Sequence, residues 1–370
     1  MHEQRHISEV SFSGSAYERG IQRGRRLRDT LDVPHLETDE RFVQGCYAAA
    51  REAYPPAIEE FEGLVTGGDF ERDLLLPYYF ARVESHLGGT VPGCTMFAVR
   101  PGHRVHSHTG PIAGRNYDWA TSDLRWCELH RIRAEGEPRR MAYTHHWAGN
   151  ADVLTDDGLY VAIASLPPQE IHAPGVQWNI VMEMLTGRCS CVAQAAEACA
   201  DMRHLRPMSY LLADESGEVA VVEAMPHEVR LRRPKEGFVV AANIDQGGKI
   251  IRQWPGERVP GSLTEPVRPR PANYRGDALQ RAQKRVDRTT NLLREGGRAI
   301  SINDVQDILK DHEAPVCIGD HSDPDGAPWA TIWSGICEPR YRTFRVAPGL
   351  PCRHPYQEFE MDQVPHASSS

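Results

Sequence analysis

Gly93-Cys94-Thr95-Met96-Phe97-Ala98-Val99, with Gly114-Arg115-Asn116-Tyr117-Asp118-Trp119 about twenty residues after Cys94, is the stretch on which the fold and chemistry of this chain turn. Cys94 heads an apolar run of strand character, and the second motif lies one hairpin away. A break between Gly93 and Cys94 would make Cys94 an N-terminal residue carrying both a thiol nucleophile and its own α-amino base. A thiol with a reference pKa near ~8.5 is only slightly ionised at neutral pH and needs a base or a positive field. A free α-amine titrates at about 7.7–8.0, so it can take the thiol proton and return it to a leaving amine. Gly93, lacking a Cβ, lets the thiol approach the carbonyl ahead of it. Thr95 offers a neighbouring hydroxyl. The pairing points to a self-processing amidase or acyltransferase.

Arg115 and Asp118 are the charged members of the second motif. In a regular strand, residues three apart face opposite ways, so a bend or bulge near Gly114 is expected if both are to reach the site. An aspartate beside the α-ammonium would hold it, and an arginine beside the thiol would lower its pKa or recognise an acyl or carboxylate group. Taken without Cys94, the two read more readily as an Arg-Asp pair capping a hairpin.

The 370 residues carry 42 Lys and Arg against 51 Asp and Glu, a net charge of −9, which leaves no basic field for nucleic acid. The first twelve residues lack an apolar core of a signal peptide, and no run of 18 apolar residues occurs, so a soluble, cytoplasmic protein without membrane partners is expected. Nine cysteines, an odd number, read as reduced thiols; Cys189-Ser190-Cys191 is C-x-C, a weak metal or redox motif.

Periodicity predicts a helical layer over the first ninety residues, with helices at 17–30, 55–64 and 73–87. Strands are expected at 94–100, 110–115, 127–133, 141–146 and 159–164, then helices at 178–185 and 192–202. A second sheet follows at 210–213, 219–224, 228–231 and 238–242. A long loop covers 247–271, an exposed helix 275–294, a shorter one 302–309, and a closing hairpin pairs 329–336 with 342–346. The order implies an α+β fold with two packed sheets between helical layers.

These motifs resemble the N-terminal-nucleophile hydrolases of the isopenicillin N acyltransferase (acyl-CoA:6-aminopenicillanate acyltransferase) family, relatives of the choloylglycine hydrolases and penicillin V acylases. The likeness continues through Phe12-Ser13-Gly14 with Tyr17-Glu18-Arg19-Gly20, Leu212-Ala213-Asp214 to Val222-Glu223, Ala241-Ala242-Asn243, Asp311-His312, Cys317 and Pro348-Gly349-Leu350-Pro351. It implies a four-layer αββα sandwich, cleavage at Gly93/Cys94, and a 1–93 segment that stays packed on a 94–370 catalytic core. It makes Cys94 the nucleophile, Asp118 the group that orients its amine, Arg115 a cation of the site wall, and Asn243 an oxyanion donor. Asn243 also reads as a turn residue before Asp245. An arginine at the start of a late helix is implied; Arg285 is the choice, with Arg281 and Arg275 as rivals. Tyr117, Thr155 and Ser165 are placed at the oxyanion or substrate side. Thr155 and Ser165 stand where relatives carry asparagines, which argues against a standard bile salt hydrolase.

The implied reaction cleaves or forms a linear amide of a small acylated amino compound or secondary metabolite through an acyl-thioester. No cofactor is implied, apart from an acyl-CoA or acyl-carrier thioester as acyl donor, and a homo-oligomer stays open. A catalytically silent member that binds an acylated ligand is the alternative. His103, His106 and His108, with His145-His146, are the residues for a metal-dependent rival, but no H-E-x-x-H motif accompanies them and no metal is expected.

Overall fold

The apolar run at 93–99 forms a strand buried on both faces, as its unbroken hydrophobic character requires. The structure, a computed structural model, describes residues 5–33, 35–83, 93–102, 110–254, 276–295, 300–319, 321–322 and 328–362. His103, His106, His108 and Arg275 lie outside the described residues.

The chain opens with β1 (Ser8–Gly14), α1 (Ala16–Leu27), α2 (Glu40–Ala53), α3 (Pro56–Gly68) and α4 (Arg72–Phe80). The central strands are β2 (Gly93–Val99), β3 (Ile112–Ala120), β4 (Glu128–Ala134), β5 (Arg140–Thr144), β6 (Asp152–Thr155) and β7 (Leu159–Ser165). After α5 (Trp178–Arg188) and α6 (Val192–Ala200) come β8 (Met208–Asp214), β9 (Val219–Ala224), β10 (Glu228–Arg232), β11 (Phe238–Ala242) and β12 (Lys249–Gln253). The last elements are α7 (Gly276–Arg294), α8 (Ile302–Leu309), β13 (His321–Ser322), β14 (Pro328–Glu338), β15 (Thr343–Ala347) and β16 (Gln357–Glu360).

Among the described residues these strands build two sheets, of order β1-β4-β5-β6-β7-β8-β9-β10-β12 and β11-β2-β3-β14-β15-β16, with β13 on β14. The layers are those expected, but the strands are not dealt out as one sheet and then another. Strands β8 to β10 extend the sheet begun by β4 to β7, and β11 crosses over to pair with β2. Cys94, Met96 and Ala98 face the core between the sheets, while Phe97 and Val99 pack with Ala282, Val286, Val305 and Ile308 of α7 and α8. Helices α5 and α6 cover the outer face of the longer sheet. The fold is therefore an α+β sandwich with helices outside two sheets.

The first ninety residues are not purely helical. β1 pairs in parallel with β4, Ser8 opposite Glu128 through Gly14 opposite Ala134. Val10 and Phe12 among polar neighbours give it a strand period too short to stand out beside the helices. α1 and α3 cross closely because Gly20 and Gly63 meet backbone: a Cβ on Gly20 would stand 2.0 Å from the Glu60 carbonyl oxygen. The arginines of α1 are partly internal, since Arg19 and Arg23 reach the buried Glu60 carboxylate at 3.2 and 2.8 Å. α7 is likewise not simply exposed, for Ala282, Arg285, Val286 and Thr289 form a buried face. Among the described residues, no helix is long and apolar enough to cross a membrane.

Candidate active site

β2 and β3 run in regular antiparallel register, with Gly93 opposite Asp118, Cys94 opposite Tyr117 and Met96 opposite Arg115. The expected bend in β3 is absent from this pairing; the irregularity lies on the neighbouring strand β14, between Thr331 and Trp333. Arg115 and Asp118 therefore do face opposite ways. Both still belong to the site, because the Cys94 thiol points between the sheets while the strand end at Gly93 is reached from the helix side. A bend is unnecessary when one group meets the Cys94 thiol and the other lies against Gly93 on the opposite face of the strand.

Between the sheets, Arg115 is fully buried and donates to Cys94 Sγ at 3.4 Å, to Asp152 Oδ1 at 2.8 Å and to the Ile163 carbonyl at 2.6 Å. Trp333 Nε1 donates to the other Asp152 oxygen at 2.7 Å. The Arg115 guanidinium also lies 4.5 Å above the Tyr117 ring, which stacks on Trp333 at 3.9 Å. Burial pushes the Cys94 thiol up to about 11, against the pull of Arg115. A thiol raised this far is neutral near pH 7 and needs a base to react.

On the helix side, Asp118 Oδ1 accepts from Thr331 Oγ1 at 2.6 Å. The carboxylate lies against Gly93: a Cβ there would come within 2.6 Å of Asp118 Oδ2 and 2.9 Å of its Cβ. Since Asp118 is buried and tied to Thr331, it cannot swing aside cheaply. Gly93→Ala is expected to slow any opening of the 93–94 bond by on the order of 100-fold, followed as the half-time of chain cleavage after synthesis. Cleavage at the parental rate would show that the close approach is unimportant.

The backbone N–H of Cys94 donates to Asn243 Oδ1 at 2.6 Å, and Arg285 donates to the same oxygen at 3.0 Å and to Thr95 Oγ1 at 3.1 Å. Asn243 Nδ2 donates to the Ser165 carbonyl at 2.9 Å. Two donors on one end of the amide and an acceptor on the other fix its orientation. Of the two rival arginines among the described residues, Arg285 reaches the site, from the middle of α7 rather than its start, and Arg281 is exposed.

Ser165 enters the site through its carbonyl, its hydroxyl accepting from Arg206 at 3.3 Å. Thr155 does not join it. Its hydroxyl accepts from Leu159 N–H at 3.0 Å and closes the β6–β7 turn, about 10 Å along the strand from Asp152. Sequence reasoning misses Asp152, Thr331 and Trp333. A lone aspartate within Ala151-Asp152-Val153-Leu154 is the one legible signal, because a carboxylate on a buried strand needs a partner.

Tyr117 donates to or accepts from His146 Nε2 at 2.9 Å. His146 in turn lines a pocket with Tyr78, Arg82, Trp147, Gln177, Trp178 and Asn179. Tyr78 stacks on Trp147 at 4.7 Å. Burial holds His145 down at about 3 and His146 well below the usual range, so both rings are neutral.

Behind Asn243, the buried Glu223 accepts from Arg232 at 3.0 Å and from Gln246 N–H at 3.2 Å. Burial raises its carboxyl to about 7, and the Asp245 carboxylate adds to this against the opposing pull of Arg232. A folded pKa above the unfolded value favours the fold below ~4.5, and that contribution is lost as pH rises through about 7. Thermal unfolding from pH 5 to pH 8 should show a loss of up to about 3 kcal/mol that Glu223→Gln removes. An identical pH slope in the variant would assign the effect elsewhere.

The sequence of residues 105–351 matches the model of the acyl-coenzyme A:6-aminopenicillanic acid acyl-transferase family. No curated protein sequence matches the chain. Among solved structures, a mutant of conjugated bile acid hydrolase from Clostridium perfringens is similar with a TM-score of 0.46 at 11% identity, over 74% of this chain and 99% of that one. Penicillin V acylase from Agrobacterium tumefaciens is similar with a TM-score of 0.41 at 13% identity, over 73% and 87%. With two thirds of its length inside the family match, the chain belongs to the acyl-coenzyme A:6-aminopenicillanic acid acyl-transferase family.

Proposed function

We propose that this enzyme cuts itself before Cys94 and then cleaves or forms a linear amide through an acyl-thioester on that residue. The supporting observation is the set of contacts around the Gly93–Cys94 peptide: Arg115 on the thiol, Asn243 on the nitrogen, and Asp118 against Gly93. In self-processing, Cys94 Sγ attacks the Gly93 carbonyl carbon, the C–N bond breaks, and the nitrogen takes the thiol proton. Water then hydrolyses the thioester to a Gly93 carboxylate and a free Cys94 amine and thiol.

In turnover the Cys94 amine accepts the thiol proton as sulfur attacks the substrate acyl carbon, and returns it to the leaving group. Asn243 Oδ1, already bonded to the Cys94 nitrogen, keeps the amine in place, and the second Nδ2 hydrogen is offered to the oxyanion. Asp118 and the neighbouring dipoles favour the ammonium form that builds up in the transition state. Asp118→Asn should therefore fold but lose turnover by about 10²–10³-fold, read as amine release; parental kcat would remove the role.

An acyl-CoA or acyl-carrier thioester is the donor if transfer predominates. The substrate is a small acylated amino compound of the secondary-metabolite kind. Water yields hydrolysis, and an amine yields transfer.

Intact mass and a denaturing gel of freshly purified protein test the reading. Two chains of about 10 and 31 kDa, with Cys94 leading the larger, are expected from the 41.5 kDa precursor. A chain that stays whole on incubation would overturn self-processing and leave a protein that binds acylated ligands.

A further inference from the structure

On the side of β3 away from the Cys94 thiol, two segments distant in sequence bring sulfur and nitrogen donors together. His312 and Cys317 sit on one tight loop after α8, closed by the Cys317 N–H donating to the Asp311 carbonyl at 2.9 Å. Cys352 comes from the turn after β15, where the N–H groups of Arg353 and His354 both reach the Leu350 carbonyl at 2.9 Å. One ligand atom from each of His312, Cys317 and Cys352 lies within 4.8 Å of the others. Cys317 is buried, while His312 and Cys352 face solvent, which gives an ion a route in.

The two sulfurs stand 3.7 Å apart. A disulfide needs about 2.05 Å, whereas two thiolates on a tetrahedral zinc with bonds of about 2.3 Å are separated by about 3.8 Å. An imidazole within 4.8 Å of both sulfurs has no part in a disulfide and adds a third donor to a set suited to zinc. We propose that His312, Cys317 and Cys352 bind one zinc ion, with solvent in the fourth position.

Binding displaces one proton from each thiol and joins the two loops: Zn²⁺ plus two thiols gives the bis-thiolate complex and two protons. Its place in the fold gives it a use. Val316, next to Cys317, accepts from Asn116 Nδ2 at 2.8 Å, and Ile318 N–H donates to Thr331 Oγ1 at 3.0 Å. Thr331 Oγ1 is the group that donates to Asp118. The metal loop is thus two hydrogen bonds from the carboxylate at Gly93. It holds the rear wall of the site without touching the reacting sulfur, so the ion is structural.

The test uses the full-length reduced protein, stripped with a chelator and titrated with Co²⁺ and then Zn²⁺. One Co²⁺ per chain is expected, with an intense thiolate-to-cobalt charge-transfer band that one equivalent of Zn²⁺ abolishes, and a rise in Tm on zinc addition. Cys352→Ser, at an exposed position, should weaken binding on the order of 100-fold and lose half the charge-transfer intensity, while His312→Gln should shift the ligand-field bands and keep the sulfur band. The Cys94→Ala protein should bind as the parent does, which separates this site from the nucleophile. Absence of the cobalt band in the reduced parent would overturn the proposal, as would binding that persists in Cys317→Ser/Cys352→Ser. So would isolation of a Cys317–Cys352 disulfide whose reduced form takes up no metal.

Discussion

Cys94→Ala is expected to remain one 41.5 kDa chain and to lose amide turnover by at least about 10³-fold, with little change in stability. In the proposed mechanism the nucleophile and the base are two ends of the same residue, so removing the sulfur is expected to end self-processing and turnover together. Thiol loss should leave the fold in place, because the cavity is small and Arg115 keeps Asp152 and the Ile163 carbonyl as partners. Cys94→Ser separates the two steps: a hydroxyl can support slow chain opening while failing as a leaving group in turnover. Mass spectrometry and amine release decide the matter. A split chain or parental turnover in Cys94→Ala would sink the thioester mechanism outright.

Arg115→Ala should be the most destabilising single change at the site, on the order of 3–5 kcal/mol, because it strands the fully buried Asp152 carboxylate without a cation. Burial raises the Asp152 carboxyl and Arg115 opposes this. Without the guanidinium, Asp152 is expected to take up a proton and the Tyr117–Trp333 stack to lose the cation above it. The remedy identifies the cause. Arg115→Met with Asp152→Asn removes both charges and still offers Trp333 Nε1 an acceptor, so it should recover much of the loss in urea unfolding. It should not recover turnover, since the thiol still lacks its positive neighbour. If Arg115→Ala unfolds within about 1 kcal/mol of the parent, the pair is not what holds this part of the core.

Which residues gather at Cys94 is more legible in the sequence than the topology. Cys94 stands out at the head of an apolar run and Arg115 and Asp118 as charges within a largely apolar motif, whereas Asn243 is implied only by the family resemblance; the structure gathers all four about one strand end. Arg285 is harder to read: it is one of several arginines on α7, and only the turn of the helix toward Thr95 separates it from the exposed Arg281. Thr155 is misplaced by sequence reasoning because a threonine before Asp156-Asp157-Gly158 has the same local appearance whether its hydroxyl meets a substrate or closes a turn. The allotment of strands to sheets cannot be read from periodicity, which reports how a strand is buried and not which neighbour it pairs with. Hence β11, ending at Ala242 just before Asn243, is expected beside β10 and lies beside β2, the pairing that brings Asn243 to Cys94.

The parallel pairing of β1 with β4 bears on what the mature enzyme would be. If the backbone opens ahead of Cys94, the leading piece keeps its rung on the longer sheet, and its departure would bare an unpaired edge along 128–134. The covalent tie would be exchanged for a subunit interface of domain-core character, so that folding becomes bimolecular and stability depends on the concentration of both pieces. Chains 1–93 and 94–370 made separately should then find each other and restore one particle, and an enzyme assembled that way would begin at Cys94 without having cut itself.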